Sequence, residues 1–88
     1  MSQTNIGKAL GLPKILNIKK FKVGDRIHLF ANNGCLDMCY TVVSTYYVSD
    51  YVEIQQDGIT SLDRFWTEMF NEYKVSRFTK ENNPEYYL

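Results

Sequence analysis

Three side chains of this sequence could ligate a soft metal ion: Cys35, Cys39 and His28. A structural zinc site usually combines two pairs of Cys or His ligands, each pair at short spacing. The chain offers one such pair, Cys35 and Cys39, and its single histidine. We therefore expect no bound metal, and the sequence contains no motif that implies another cofactor.

The same residues could form a nucleophilic pair, with Cys39 as the nucleophile and His28 as the base. Such chemistry also needs an orienting group and an oxyanion site. Asp37 or Asp50 could orient the imidazole, but no cleft is evident in a chain of 88 residues. We expect a protein that is not an enzyme, whose two cysteines are free thiols.

Alternation of apolar and polar residues predicts strands on both sides of the Asn-Asn-Gly loop at residues 32–34. The first, RIHLFA, turns Ile27 and Leu29 to one face and His28 and Phe30 to the other. The returning strand is MCYTVVSTYYV, and a register that pairs Ala31 with Met38 matches apolar residues across it. YVEIQQ is predicted as a third strand and YKVSRF as the last.

A change of period between these last two strands predicts a helix over residues 61–71. Its apolar stripe holds Leu62, Phe65, Trp66, Met69, Phe70 and Tyr73 at helical spacing. The stripe is interpreted as core, with Trp66 at its margin. The fold class expected is therefore mainly β with α: four to five strands and one amphipathic helix before the last strand.

The turn-strand VGDRI, the Asn-Gly loop, YTVV, DYVEIQ, the Asp-Gly turn and a helical segment before a final strand resemble an SH3-like small β-barrel. The resemblance covers Phe21 to Phe78 and implies a barrel or a strongly curved antiparallel sheet. Domains of this class mostly bind peptides, proteins, nucleic acids or small ligands, and seldom catalyse reactions. The small size and the Tyr- and Asn-rich composition are also similar to accessory proteins of bacteriophages.

Charge divides the chain into a basic arm and an acidic body. Residues 1–24 hold five lysines and no acid, whereas the rest holds five Lys or Arg residues against ten Asp or Glu, a net charge of −5. We predict an arm over residues 1–20 with a short helix near its start, a domain over residues 21–79 and a flexible tail over residues 80–88. No segment has the length of a membrane span or the layout of a secretory signal, so a cytoplasmic location is expected, in the host if a phage encodes the protein.

Outward aromatic residues suggest a contact surface, because Tyr provides flat, amphipathic area at small entropic cost. The candidate binding residues are Tyr46, Tyr47, Tyr51, His28 and Phe30. Apolar residues of the arm and the helix margin should contact an oligomer partner or the chain's own domain: Leu10, Leu12, Ile15, Leu16 and Trp66. Because the arm carries too many apolar residues for a free tail, we expect a homo-oligomer.

The function expected is a binding or inhibitory module that contacts another protein, such as a phage accessory protein acting on a host factor. One alternative is an oligomer that sequesters a nucleotide-like signal between Tyr rings and basic side chains. A second is a protein that binds single-stranded nucleic acid through stacked bases, which the neutral net charge disfavours.

Overall fold

Alternating burial along the chain produces five strands in one open antiparallel sheet. The computed structural model describes residues 12–87. The strands are β1 (Arg26–Ala31), β2 (Asp37–Tyr46), β3 (Tyr51–Gln56), β4 (Asp63–Trp66) and β5 (Tyr73–Arg77). Their order across the sheet is β4-β3-β2-β1-β5, so β4 and β5 are the two edge strands. The predicted mainly-β antiparallel sheet is confirmed, whereas the helical part of the prediction is wrong.

Residues 61–71 do not form an α-helix. They form β4, which pairs with β3, followed by a 3-10 turn at Thr67–Asn71. Phe65 is fully buried, while Leu62, the first residue of the predicted stripe, is 47% exposed. A strand that alternates inward Phe65 with outward Arg64 and Trp66, followed by a turn that packs Met69 and Phe70 on the core, reproduces most of the apolar spacing of a helix. Across the described residues, every helical segment is a short 3-10 turn.

The β1–β2 hairpin differs from its predicted register by two residues. His28 lies opposite Cys39 and Leu29 lies opposite Met38, where the prediction placed Leu29 opposite Tyr40. The hairpin closes sooner than expected because the Ala31 N–H donates to the Leu36 carbonyl at 2.9 Å. A shift of two residues keeps every side chain on its predicted face, since the side-chain period of a strand is two.

A β-bulge at Val43 divides β2 into two halves. Val42 pairs with Ile54, whereas Ser44 pairs with Glu53, so one extra residue lies between these two pairs. Before the bulge the even-numbered residues Tyr40 and Val42 point into the core. After it the parity reverses, and Tyr46 points outward.

The inner face of the sheet buries a core centred on aromatic rings. Phe21, which precedes β1, lies 5.6 Å from Phe65 and 5.9 Å from Phe70 between ring centroids. The buried residues of this inner cluster are Ile15, Ile18, Phe21, Ile27, Leu29, Tyr40, Val42, Val52, Ile54, Phe65 and Val75. Edge-to-face and offset ring pairs of this kind add to the free energy gained from burial alone.

The opposite face of β1 is covered by the two ends of the described chain. Leu12 from the N-terminal segment and Phe78 beyond β5 form an outer cluster with Cys39, against which Tyr86 and Tyr87 pack. The Phe78 and Tyr86 rings stack at 4.2 Å. Tyr86 and Tyr87 therefore pack against this outer cluster, and a 3-10 turn at Pro84–Tyr87 lies within the segment 80–88 that the sequence predicted as a flexible tail.

Arg26 joins this C-terminal segment to the sheet. Its guanidinium pairs with both carboxylate oxygens of Asp57 at 2.6 and 2.8 Å and donates to the Thr41 hydroxyl at 2.6 Å. Its Nε donates to the Tyr86 carbonyl at 2.8 Å. The pKa of the guanidinium is raised, chiefly by the hydrogen bond to Asp57. Such a planar fork can connect β1, β2, the turn after β3 and the C-terminal segment at one point.

Residues 12–20, part of the predicted N-terminal arm, pack against the sheet. Pro13 and Ile15 hydrogen-bond to β5 along its outer edge, and Lys14 forms a β-bridge with Ser76. Leu12 then lies in the outer cluster and Ile15 in the inner one, so the segment wraps around the edge of the sheet. Leu10 and the predicted N-terminal helix lie outside the described residues. Among residues 12–87, no helix is long and apolar enough to cross a membrane.

The structure predicts effects of very different size for substitutions at Phe65 and Leu62, which a helix would place on one stripe. Phe65→Ala should lower the free energy of unfolding by about 3–5 kcal/mol, because it empties a fully buried site in the inner cluster. Leu62→Ala should change it by less than about 0.5 kcal/mol, because its side chain is largely exposed. Urea denaturation followed by circular dichroism measures both. Equal losses for the two variants would contradict the assignment of residues 63–66 to a strand.

Candidate protein-contact surface

Three aromatic side chains form a row across the outer face of β2, β3 and β4. Tyr46 lies opposite Tyr51, and Tyr51 lies opposite Trp66, so the three residues occupy one line perpendicular to the strands. The ring centroids of Tyr46 and Tyr51 are 5.0 Å apart, and those of Tyr51 and Trp66 are 4.6 Å apart. We call Tyr46, Tyr51 and Trp66 the aromatic row.

The turn between β2 and β3 holds the row in place. Asp50 adopts a left-handed conformation, with φ of 64°, which Asp tolerates better than most residues and which closes the turn after Ser49. The Asp50 carbonyl accepts hydrogen bonds from the Thr67 N–H at 3.0 Å and the Thr67 hydroxyl at 3.3 Å. This contact fixes the end of β4 beside the turn, so Trp66 stands next to Tyr51.

Arg64 extends the row on one side. Its guanidinium carbon lies 4.7 Å from the Tyr51 ring centroid and 6.0 Å from that of Trp66. A cation over an aromatic face is held by the quadrupole of the ring. The aliphatic stem and the planar head of Arg64 thereby enlarge the flat surface that the row presents.

The row remains accessible although its members contact one another. Tyr46 is 44% and Trp66 36% exposed, and Tyr51 between them is half-buried. Val48, at the tip of the adjacent turn, is fully exposed. Large aromatic rings on a surface, already ordered by their neighbours, lose little further entropy when a partner covers them.

The other predicted binding residues lie apart from this row. Tyr47 packs against the inner cluster, and its hydroxyl donates to the Phe21 carbonyl. His28 is 4% exposed, beneath the outer cluster, and its Nε2 donates to the Asp37 carboxylate. Phe30 is half-buried and stacks on His28 at 6.4 Å. The face that His28 and Phe30 occupy is thus covered by the chain itself.

The residues predicted to contact an oligomer partner are also dispersed. Leu12 and Ile15 are buried within the domain, whereas Leu16 is 81% exposed beside them. Trp66 belongs to the aromatic row. Sequence reasoning missed this grouping because the segment around Trp66 was predicted as a helix. The Tyr46–Tyr51 pairing was visible as two tyrosines flanking a tight turn, but Arg64 carried no comparable signal.

Cys39 and His28 face each other across the β1–β2 pairing, yet the thiol is poorly suited to nucleophilic attack. Burial, followed by the negative charge of Asp57, raises the pKa of Cys39 to about 12. The imidazole is engaged by Asp37. Among residues 12–87, no three His, Cys, Asp or Glu side chains cluster closely enough to hold a metal ion.

Comparisons of the chain with protein-family models, with curated proteins and with solved structures give no match. The surface described above is therefore interpreted from its own geometry and chemistry.

The two cysteines should differ strongly in their reaction with a thiol reagent. At pH 8 the thiolate fraction of Cys39 should be on the order of 10⁻⁴, given its raised pKa and its burial. Cys35 is exposed in the loop after β1. Iodoacetamide labelling read by mass spectrometry should modify Cys35 first and Cys39 only in denaturant. Cys35→Ser provides the control, and rapid labelling of that folded variant would contradict the buried position of Cys39.

Proposed function

We propose that the protein is a non-enzymatic binding module that acts through contact with another protein, with the aromatic row as its contact surface. The observation that carries this proposal is the exposed, mutually stacked arrangement of Tyr46, Tyr51 and Trp66. Tyr and Trp are enriched among the residues that dominate binding energies at protein interfaces. An inhibitory role against a host factor, as in small phage accessory proteins, would follow if the covered surface of the partner is itself functional.

The SH3-like resemblance supports a binding role. Five antiparallel strands follow one another in a meander, except that β5 returns to pair with β1, and one 3-10 turn precedes the last strand. A single helical turn at that position is common in small barrels of this class. We assign the domain to an SH3-like arrangement on this basis, as part of the proposal.

The charges around the row favour a protein over a nucleotide-like ligand or nucleic acid. Between Tyr46 and Tyr73 the sequence contains six carboxylates and one cation, Arg64. Stacking on the row with Arg64 on a phosphate would suit a nucleotide, but the surrounding negative charge would repel it. A neutral or basic protein surface meets no such penalty.

Loss of the rings should weaken partner capture while leaving the fold intact. Immobilised wild type, Tyr51→Ala, Trp66→Ala and the double variant are compared for proteins retained from lysate of the cells in which the protein acts. Each single substitution should lower the affinity for the retained protein by about 2 kcal/mol or more, roughly thirtyfold. Ile59→Ala is the matched control, because Ile59 is 44% exposed, as Tyr46 is, and lies outside the row.

If the double variant retained the same protein from lysate as strongly as the wild type does, the proposal would be contradicted. Thermal melts in the presence of mononucleotides test the ligand alternative, and salt-dependent binding of a single-stranded oligonucleotide tests the nucleic-acid alternative. A melting shift or an oligonucleotide complex lost in Tyr51→Ala would favour those functions instead.

Self-association remains a prediction, and the burial of Leu12 and Ile15 reduces the number of residues through which two copies could make contact. Leu12 and Ile15 already pack inside the domain, so Leu16 and Trp66 are the residues, of those predicted to contact a second copy and lying within residues 12–87, that remain exposed. Light scattering at micromolar protein should give a mass above one chain. Leu16→Ser and Trp66→Ser, measured separately, would show which surface is used, and a strictly monomeric wild type would refute the expectation.

A further inference from the structure

The two edge strands of the sheet, β5 and β4, differ in whether another segment pairs with their outer side. Along β5, residues 13–15 form an antiparallel β-bridge centred on Lys14 and Ser76: the Ile15 N–H donates to the Val75 carbonyl at 2.9 Å, and the Arg77 N–H donates to the Pro13 carbonyl at 2.8 Å. Along β4, no strand among residues 12–87 pairs with the outer side. The sheet therefore has one protected edge and one open edge.

The backbone of Arg64 points away from the sheet at this open edge. In an antiparallel pair, hydrogen-bonded and non-hydrogen-bonded residue pairs alternate. Thr67 donates to Asp50 at 3.0 Å, so Phe65, two residues before it, also bonds towards β3. Arg64 lies between such positions, and its N–H and C=O are directed outward. The neighbouring outward N–H, that of Trp66, donates to the Met69 sulfur at 3.3 Å.

Apolar side chains flank this open edge. Leu62, just before β4, is 47% exposed, and Trp66, at its end, is 36% exposed. Natural edge strands are often blocked by proline, by lysine or by a covering segment. Strand β4 contains neither residue, and the N-terminal segment covers the opposite edge instead.

Charge identifies the kind of strand that would fit here. The sequence between Tyr46 and Tyr73 contains six carboxylates and one cation, Arg64, and among the described residues only Asp57 of these six has an ion-pair partner, Arg26. Asp63 lies on β4 itself, and Glu68 follows directly on the 3-10 turn. A basic segment would be attracted to this region, whereas an acidic one would be repelled.

We propose that β4 receives an extended, basic segment of a partner protein as an additional strand, which bonds to the outward backbone groups of Arg64 and packs beside Leu62 and Trp66. The inference rests on the proposed function, since it specifies the partner as an extended segment. Main-chain hydrogen bonds would provide the register, and the row would select a side chain that stacks on Trp66. Lys or Arg residues of the segment would lie near Asp63 and Glu68.

The test separates the backbone of Arg64 from its side chain. Arg64→Ala and Arg64→Pro both remove the guanidinium, but only proline removes the outward N–H, which β3 does not use. A displayed library of random linear peptides is selected on the Arg64→Ala protein, and the recovered peptides are measured on both variants. We expect enrichment of Lys- and Arg-containing peptides whose affinity is at least about tenfold lower for Arg64→Pro.

A second measurement leaves the protein unchanged. N-methylation of single amides along a selected peptide should weaken its binding to wild type at every second residue, because alternate amides of an added strand face β4. Circular dichroism melts establish that Arg64→Pro is folded, and the methylation series decides the question if it is not. Equal affinity of the two variants together with no alternation would overturn the proposal.

Three further outcomes would also count against an added strand. Failure to enrich any peptide above the bare support would do so. Light scattering that shows a dimer dissociated by Arg64→Pro would assign the edge to a second copy of the chain. If a cellular protein is retained through Tyr51 and Trp66 but equally by Arg64→Pro and Arg64→Ala, the proposed function stands and the added strand does not.

Discussion

The complete enclosure of β1 is the constraint on which the other parts of this structure depend. This strand is paired with β2 on one side and β5 on the other. Ile27 and Leu29 are buried on its inner face, and His28 is buried on its outer face. Because residues 12–87 contain no helix longer than a 3-10 turn, the segments before β1 and after β5 provide the cover for its two faces. Leu12, Tyr86 and Tyr87 therefore stabilise the fold by packing in the outer cluster.

Because these residues cover β1, part of the outer face of the other half of the sheet, formed by β2, β3 and β4, is left exposed. Leu12 and the segment from Phe78 to Tyr87 cover the outer face around β1, and the Arg26–Asp57 pair holds the C-terminal segment there. Within residues 12–87, these two segments do not cover the far ends of β2, β3 and β4, where the aromatic row is exposed. The aromatic row and the open edge of β4 therefore lie on the side of the sheet opposite the protected edge of β5.

Much of the sheet could be predicted from sequence because period-two alternation and Asn-Gly or Asp-Gly turns are local signals. The same alternation predicted correctly that His28 and Ile27 lie on opposite faces. The sequence predicted that the face of His28 is covered, but alternation could not show that Phe78 and Tyr86 cover it, since they reach it only through the tertiary fold. The segment around Phe65 was mistaken for a helix because strand and turn together imitate helical spacing. The aromatic row was found only in part, since Trp66 joins Tyr51 through that same unrecognised strand.

The bulge at Val43 has a consequence for how this surface could change during evolution. Ordinary substitutions alter which side chains the surface displays, but they leave the assignment of faces unchanged. A regular strand that kept Val43 but lost the bulge would exchange the two faces of the distal half of β2, turning Tyr46 inward and Thr45 outward. Deletion of Val43 would instead restore regular alternation, with Ser44 still opposite Glu53 and Tyr46 still outward. A descendant of this chain that lacks Val43 should therefore display the same outward residues on the distal half of β2.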